Sequence, residues 1–160
     1  MSFTIRPGKK EDVSAILTLI NELAVFEKLP NEVELTENDL IKDGFTNNPK
    51  FKTFVAEENN TIIGMALFYE RYSTWKGKTV HLEDLMVTQS KRGIGAGKAL
   101  YSAVLKYAHE QGCKRVAWDV LDWNTNAINF YKSTGAKVLP DWRVVHMNEQ
   151  NLDTFINENF

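Results

Sequence analysis

The stretch that decides the fold is Arg92-Gly93-Ile94-Gly95-Ala96-Gly97-Lys98. It follows an apolar run at 82–87 that is typical of a strand, and it precedes residues 100–108, whose apolar side chains recur at helical spacing. Glycine permits the positive φ angles of a tight turn and a close approach of the backbone to a ligand. The unpaired N–H groups and the positive dipole end of the following helix then favour an anion. A strand, a glycine-rich turn and a helix start therefore predict a phosphate-binding site.

The spacing of the glycines excludes two common phosphate-binding motifs. A P-loop needs a glycine, four further residues and then Gly-Lys-Ser/Thr, but Ala99 follows Gly97-Lys98, and an arginine stands five positions before Gly97. A dinucleotide fingerprint needs G-x-G-x-x-G, but Lys98 occupies the place of the third glycine counted from Gly93. The stretch fits Arg-x-x-Gly-x-Gly instead. A tight turn with spare glycines is the plain structural alternative.

Length and composition indicate a single domain, residues 1–160, with 43% hydrophobic and 25% charged residues. The formal net charge of −2 argues against nucleic acid or an anionic membrane as a partner, because both call for clustered positive charge. No apolar run is long enough to cross a bilayer, and the strand-like start Met1-Ser2-Phe3-Thr4-Ile5-Arg6 does not resemble a signal peptide. The single cysteine, Cys113, excludes an internal disulfide framework. We expect a cytoplasmic protein.

The apolar periodicity predicts alternating strands and helices, with Thr36-Glu37-Asn38-Asp39 as a capping box and Asn124 as an N-cap. In chain order, we predict a strand at 3–5, helices at 13–24 and 36–41, strands at 51–57, 61–72 and 79–87, a helix through 100–108, a strand at 115–121, a helix at 124–133, closing strands at 138 and 142–147, and a last helical turn at 151–157. A three-strand meander followed by β-α-β units implies an α/β (α+β) fold, a mixed sheet with helices on both faces.

A second cluster contains Asn124, at a strand end, and Tyr131, two helical turns further along the same face. From the pattern alone, a core tyrosine beside Phe130 is as well supported as a catalytic tyrosine. Among the histidines, His81 is better explained as a hydrogen-bonded sheet residue than as a base in a substrate pocket. No spacing of His, Cys and Asp suggests a metal site.

Taken together, the two clusters resemble the GNAT superfamily of N-acetyltransferases, which bind acetyl-coenzyme A. Its loop pattern is Arg-x-x-Gly-x-Gly, and an asparagine at a strand end, then Phe-Tyr and Gly-Ala, form its second half. Five further runs resemble the diamine (spermidine/spermine) acetyltransferase family, and those at 26–29 and 73–77 resemble its thialysine N-ε-acetyltransferase branch; the five lie at 26–29, 43–45, 73–77, 82–84 and 120–124. The resemblance covers about residues 3–142 and implies a mostly antiparallel, twisted sheet.

The resemblance implies a set of coenzyme-binding residues: the backbone of Leu85, Met86 and Val87 for the pantetheine arm, Arg92, Gly93, Ile94, Gly95, Ala96, Gly97 and Lys98 for the pyrophosphate, and Asn124, Thr125, Asn126 and Ala127 for further contacts. It implies that Tyr131 faces the coenzyme sulfur as the general acid. It also implies that Glu83 receives the substrate amine and relays its proton. Phe26, Glu27 and Ser73 fall on substrate-contacting positions. Polyamine-acetylating members carry an aspartate where Ser73 stands, which implies weaker activity on long polyamines.

The chemistry explains why such groups are needed. A primary amine with a pKa near ~10.4 is almost wholly ammonium at pH 7 and is then not a nucleophile. A carboxylate such as Glu83 attracts the cation, and a positioned acid or base contributes roughly 10²–10⁴-fold. Backbone N–H groups can polarise the thioester carbonyl, and a phenol can protonate the departing thiolate. Direct transfer is favoured over a covalent acetyl-enzyme, because no histidine pairs with Cys113 in sequence.

The leading hypothesis is therefore an acetyl-coenzyme A-dependent N-acetyltransferase that acts on a small primary amine, with thialysine, lysine-like amino acids and short diamines as candidate acceptors. The family resemblance implies a homodimer. One alternative is a non-catalytic acyl-coenzyme A sensor. Such a sensor would need the glycine-rich loop, but it would not need Glu83 and Tyr131. Another is an acetyltransferase for protein lysines or N-termini, which needs an open groove.

Overall fold

A five-stranded sheet organises the first part of the chain in the computed structural model, which describes residues 3–160. The described residues form two compact units, divided between Asp119 and Val120. The first unit contains β1 (Thr4–Pro7), α1 (Val13–Phe26), α2 (Glu37–Gly44), β2 (Lys52–Glu58), β3 (Thr61–Ser73), β4 (Gly77–Val87), α3 (Ala96–Glu110) and β5 (Val116–Ala117). The second unit contains α4 (Thr125–Ser133) and α5 (Glu149–Asn159).

The strands lie side by side in chain order, β1-β2-β3-β4-β5. The first four pair antiparallel: α1 and α2 lie between β1 and β2, whereas short turns join β2, β3 and β4. β5 pairs parallel to β4 after the crossover through α3. A parallel neighbour requires such a crossover, because a hairpin can join only antiparallel strands. The sheet is therefore mixed and mostly antiparallel, which confirms the predicted fold class.

Helices cover both faces of the sheet. Met65 and Leu67 of β3 belong to the buried cluster formed with Ile16 and Leu19 of α1. Phe68, the next residue of β3, instead makes an edge contact with Tyr107 of α3, at 5.1 Å between ring centroids. Because successive side chains of a strand point to opposite faces, α1 and α3 lie on opposite sides.

The predicted capping box at the start of α2 is confirmed. Thr36 Oγ1 accepts a hydrogen bond from the backbone N–H of Asp39 at 3.3 Å, and Asp39 Oδ2 accepts one from the backbone N–H of Thr36 at 2.9 Å. These reciprocal bonds satisfy backbone donors that a helix start leaves unpaired. The helix runs to Gly44, three residues beyond the predicted end at Ile41.

In the C-terminal third of the chain, one predicted strand is shorter than expected and the predicted closing strands are wrong. The strand predicted at 115–121 forms a ladder only at Val116–Ala117. Residues 138 and 142–147 form no strand within the described chain. The helical segment predicted at 151–157 is confirmed, and it extends from Glu149 to Asn159 as α5. An alternating pattern indicates which side chains share a face, but a strand also needs a backbone partner, and no strand inside residues 3–160 pairs with residues 138–147.

No helix in residues 3–160 combines the length and the hydropathy that a membrane span requires. The longest of them, α3, has 15 residues.

Candidate active site

A β-bulge in β4 places Glu83 outside the regular ladder. Leu67 of β3 pairs with Asp84, while the next residue, Phe68, pairs with Leu82, so Glu83 has no partner on β3. A bulge inserts one extra residue and re-aims the side chains around it. As a result, Glu83 and Asp84, although adjacent in sequence, line the same cavity.

This cavity has a volume of about 270 Å³ and lies between the sheet and the helices α1 and α2. Its walls carry five apolar and four acidic side chains: Ile20, Leu35, Leu40, Phe51, Leu67, Asp39, Asp43, Glu83 and Asp84. An apolar pocket with a few convergent charged groups is the usual form of a small-molecule site. Since all four charged groups are acidic, the cavity suits a small cation.

The carboxyl groups of this region are partly desolvated and repel one another. Burial raises the pKa of Asp84 to about 6, and the neighbouring charges of Glu83 and Glu27 act in the same direction. Burial also raises the pKa of Glu27, which follows the last residue of α1. A bound ammonium group would offset this repulsion, because an opposite charge favours the ionised carboxylate.

The glycine-rich loop has the geometry of an anion site. Gly93 and Gly95 adopt φ angles of 83° and 90°, and a Cβ at either position would meet no atom within 4 Å. The loop is therefore open to solvent where its backbone takes the left-handed conformation. Gly95 is the N-cap of α3 and, lacking a side chain, supplies no side-chain cap to the first N–H groups of the helix, including those of Ala96, Gly97 and Lys98. These donors can receive a phosphate.

The side chain of Arg92 turns from this loop toward β4 and α1. Its Nε donates a hydrogen bond to the carbonyl of Val87 at 3.2 Å, and one terminal nitrogen lies 3.7 Å from the sulfur of Met86. The guanidinium carbon lies 4.9 Å from the centre of the Phe26 ring. Arg92, Met86, Val87 and Phe26, four of the residues predicted from sequence, are thus brought together.

The edge of β4 predicted to receive the pantetheine arm is unpaired by any strand of residues 3–160. The pairing of β4 with β5 ends at His81, opposite Ala117, although β4 continues to Val87. Within the described residues, no strand pairs with Leu85–Val87 on that edge. Such an edge can accept an extended ligand as an added strand.

The second unit contains five of the predicted site residues, Asn124, Thr125, Asn126, Ala127 and Tyr131. Asn124 caps α4 as predicted, since its Oδ1 accepts a hydrogen bond from the backbone N–H of Ala127 at 3.3 Å. The N–H of Thr125 donates to the carbonyl of Trp123 at 2.9 Å. Asn126 is exposed in the first turn of the helix. Tyr131 lies in the same helix, half-buried, with its ring centroid 5.4 Å from that of Phe130.

Ser73 is separated from the cavity. It ends β3, and its Oγ accepts hydrogen bonds from the backbone N–H groups of Trp75 and Lys76, both at 3.3 Å. Ser73 lies six positions beyond Leu67, the β3 residue on the cavity wall, a distance of about 20 Å along the strand. Its contacts within the chain are those of a residue that stabilises the hairpin turn.

Sequence reasoning missed the two aspartates of α2. In the sequence, Asp39 is interpreted only as part of a capping box and Asp43 only as part of the family-like run at 43–45; neither is assigned to the site. Their spacing of four residues places them on one face of a helix, which is a signal that the sequence does carry. The sequence does not indicate that this helix face lines the same cavity as Asp84 of β4. Asp43 also forms an ion pair with Lys50 at 2.6 Å.

Among residues 3–160, no three His, Cys, Asp or Glu side chains are grouped so that they could hold a metal ion.

The model of the Acetyltransferase (GNAT) family matches residues 15–136. A mouse (Mus musculus) thialysine N-epsilon-acetyltransferase is 39% identical over 148 residues, which are 88% of this chain and 87% of that protein. A human (Homo sapiens) spermidine/spermine N(1)-acetyltransferase-like protein 1 is 36% identical over 160 residues, 94% of this chain but 23% of the longer human protein.

Solved structures show the same fold. An integron cassette protein from the mobile metagenome of V. cholerae superposes with a TM-score of 0.79, covers 98% of both chains and is 24% identical in sequence. At this identity, the likeness concerns the fold alone.

Proposed function

The chain is an N-acetyltransferase of the GNAT family, and we propose that it transfers the acetyl group of acetyl-coenzyme A to the primary amine of a small cationic molecule. The proposed acceptors are thialysine, a lysine-like amino acid or a short diamine. The mouse relative is named for thialysine, and the cavity described above has the charge and the size for such a molecule.

The observation that carries this proposal is the acidic cavity at the bulge of β4. Glu83 and Asp84 lie on its wall, immediately before the unpaired edge at Leu85–Val87 in the same strand. An ammonium group attracted to these carboxylates would lie beside the end of an extended ligand on that edge. A volume of about 270 Å³ favours a single small amine over a folded segment of a protein.

The residues present fit acetyl-coenzyme A, which supplies the acetyl group as a thioester. We propose that the backbone of Leu85, Met86 and Val87 orients the pantetheine arm and that the loop from Arg92 to Lys98 holds the pyrophosphate. Residues 124–127 at the start of α4 add further contacts. The open positions at Gly93 and Gly95 support the second assignment, since bulky side chains there would crowd an approaching anion.

We propose that two side chains handle protons. Glu83 attracts the ammonium group and receives its proton, directly or through water, so that the neutral amine can attack. Tyr131 donates its phenolic proton to the departing thiolate, which makes that sulfur a better leaving group. Phe26 and Glu27, at the end of α1, contact the acceptor, and Ser73 does so only if the acceptor is long.

The experiment that tests the proposal is a thiol-release assay with acetyl-coenzyme A and a panel of acceptors: thialysine, lysine, ornithine, putrescine, spermidine and a lysine-containing peptide. We expect the highest kcat/KM with thialysine or lysine and a low value with spermidine. Glu83→Gln should raise the KM for the amine, whereas Glu110→Gln, an exposed change on α3, should not. Preference for the peptide would favour the protein acetyltransferase instead, and the absence of transfer to every small amine would contradict the proposal.

We also propose that residues 1–160 form one acetyltransferase domain, because the family match at 15–136 runs through both units. We propose a cytoplasmic location as well, which suits a protein with one cysteine that is free.

We propose further that the protein is a homodimer. Large apolar side chains are exposed throughout residues 138–160, and Val145 and Phe160 are 89% and 96% exposed. An apolar surface of this kind is usually covered by a partner. Since residues 142–147 have a strand pattern without a strand partner in the described chain, a second copy could supply one by strand addition.

A further inference from the structure

Three side chains meet beside the bulge of β4. The hydroxyl of Tyr69 donates a hydrogen bond to Oε2 of Glu83 at 2.9 Å. Nε2 of His81 lies 3.5 Å from the same oxygen. Tyr69 and His81 are directly opposite each other on β3 and β4, with their ring centroids 5.3 Å apart. One oxygen of one carboxylate therefore has a hydrogen-bond donor on one side and an imidazole on the other.

The imidazole of His81 is buried in an unusual way. The residue is 8% exposed, and its Nδ1 has no hydrogen-bond partner within residues 3–160. A histidine that serves only the sheet would normally have both ring nitrogens satisfied, because an unpaired buried polar atom is costly. The ring instead directs its other nitrogen, Nε2, toward Glu83. This orientation points to a role for His81 that involves the carboxylate.

Glu83 needs such support because the bulge frees it from the ladder. Its side chain is 51% exposed, and an exposed glutamate samples many rotamers. Its second oxygen, Oε1, has no hydrogen-bond or ion-pair partner within the described residues. Contacts at Oε2 alone therefore restrict the side chain and leave Oε1 available to a ligand.

We propose that Tyr69 and His81 are positioning residues that hold Oε2 of Glu83, so that Oε1 receives the ammonium group of the acceptor. This inference rests on the proposed function, because it assumes that Glu83 binds the amine. Neither Tyr69 nor His81 touches the acceptor itself. Both act on the geometry of the carboxylate, since they fix one of its oxygens from two sides.

The test uses the full-length protein with thialysine as the acceptor. Tyr69→Phe removes only the hydroxyl, and His81→Leu removes the imidazole but retains bulk. We expect each change to raise the KM for thialysine and to lower kcat/KM about tenfold, the usual effect of losing one hydrogen bond or close polar contact to a charged group. The KM for acetyl-coenzyme A should not change. Tyr72→Phe on β3 and His109→Leu on α3, both at exposed positions, are the matched controls and should behave as the wild type.

Two further variants separate positioning from a purely structural role. His81→Gln can place an amide N–H near the position of Nε2. We therefore expect its KM for thialysine to lie close to that of the wild type, well below the raised KM of His81→Leu. In the background of Glu83→Gln, Tyr69→Phe should have little further effect, because residues that act through one another are not additive. If Tyr69→Phe lowers the yield of active protein but leaves the KM for thialysine unchanged, the role of Tyr69 is purely structural and the inference is overturned.

The outcome for Glu83→Gln distinguishes this inference from the function on which it rests. If Glu83→Gln alone leaves the kinetics of thialysine unchanged, the role of Glu83 in the proposed function is wrong. If Glu83→Gln impairs the acetylation of thialysine while Tyr69→Phe and His81→Leu are folded and both match the wild type, the function stands and the positioning role is wrong.

Discussion

The guanidinium carbon of Arg92 lies 4.9 Å from the centre of the Phe26 ring, a cation–π contact between the glycine-rich loop and the end of α1. The same side chain donates to the carbonyl of Val87, on the edge proposed for the pantetheine arm. Arg92 thus already contacts elements of both proposed sites, the one for the coenzyme and the one for the acceptor.

Arg92→Ala is expected to weaken coenzyme A binding about tenfold, because one charge-assisted hydrogen bond to a phosphate is lost. Arg92→Lys should retain part of the affinity, since it keeps the charge but not the planar fork. Isothermal titration calorimetry measures both. Lys106→Ala removes an exposed lysine from α3 and is the control. Equal affinity in Arg92→Ala and the wild type would place pyrophosphate recognition on the backbone alone.

Tyr131→Phe is expected to lower kcat by roughly 10²–10⁴-fold, the usual contribution of a positioned acid. The affinity for coenzyme A should stay the same, because the ring and its packing against Phe130 are retained. Steady-state kinetics together with calorimetry test the two parts separately. The control is Tyr72→Phe, which removes a hydroxyl from an exposed position. A kcat within threefold of the wild type, about 0.7 kcal/mol, would exclude Tyr131 as the acid.

Asp84 should make folding less favourable as the pH rises. Its pKa is about 6 in the folded state and 3.8 ordinarily, so between these values the folded protein binds more protons than the unfolded chain. The contribution of Asp84 to the free energy of unfolding therefore falls as the pH rises through this window, and it stays constant at higher pH. Asp84→Asn should remove this loss, a gain of up to about 3 kcal/mol at pH 7.5 that is absent near pH 3.5. Urea denaturation at the two pH values measures it.

The exposed residue Asp153 on α5 provides the control for that measurement. Asp153→Asn is expected to show the same dependence of stability on pH as the wild type. If the stability of Asp84→Asn also depends on pH as that of the wild type does, the carboxyl of Asp84 is not the group that titrates in this window.

Val145→Asp is expected to dissociate the proposed dimer, because it places a charge in the apolar surface at 138–160. Sedimentation velocity at micromolar concentration would show a monomer for this variant and a dimer for the wild type. Ser102→Asp introduces the same charge at an exposed position of α3 and should leave the dimer intact. A wild-type protein that is a monomer throughout would contradict the homodimer.

Much of the fold could be predicted because its signals are local. The apolar spacing of α1, the capping box of Thr36 and the glycines at 93 and 95 each depend on residues within a few positions of one another. The strands predicted at 138 and 142–147 are wrong because an alternating pattern is only one requirement for a strand. A strand also needs a backbone edge with which to pair, and these residues have none within residues 3–160.

For the candidate site, the prediction included Glu83 but not its surroundings. No pattern in the sequence indicates that β4 has an extra residue relative to β3. Without the bulge, the alternation of a strand would direct Glu83 and Asp84 to opposite faces. For the same reason, the sequence could not identify Tyr69 and His81 as neighbours of Glu83.

The family resemblance and the glycine-rich loop could be recognised from the sequence alone, because each resides in short contiguous runs whose spacing is visible without the fold. Which carboxyl groups share a cavity depends instead on the tertiary structure. Asp39 and Asp43 come from a helix and Glu83 and Asp84 from a strand, and their proximity is a matter of packing. The raised pKa of Asp84 follows from that packing as well, since desolvation and neighbouring charge exist only once the chain has folded.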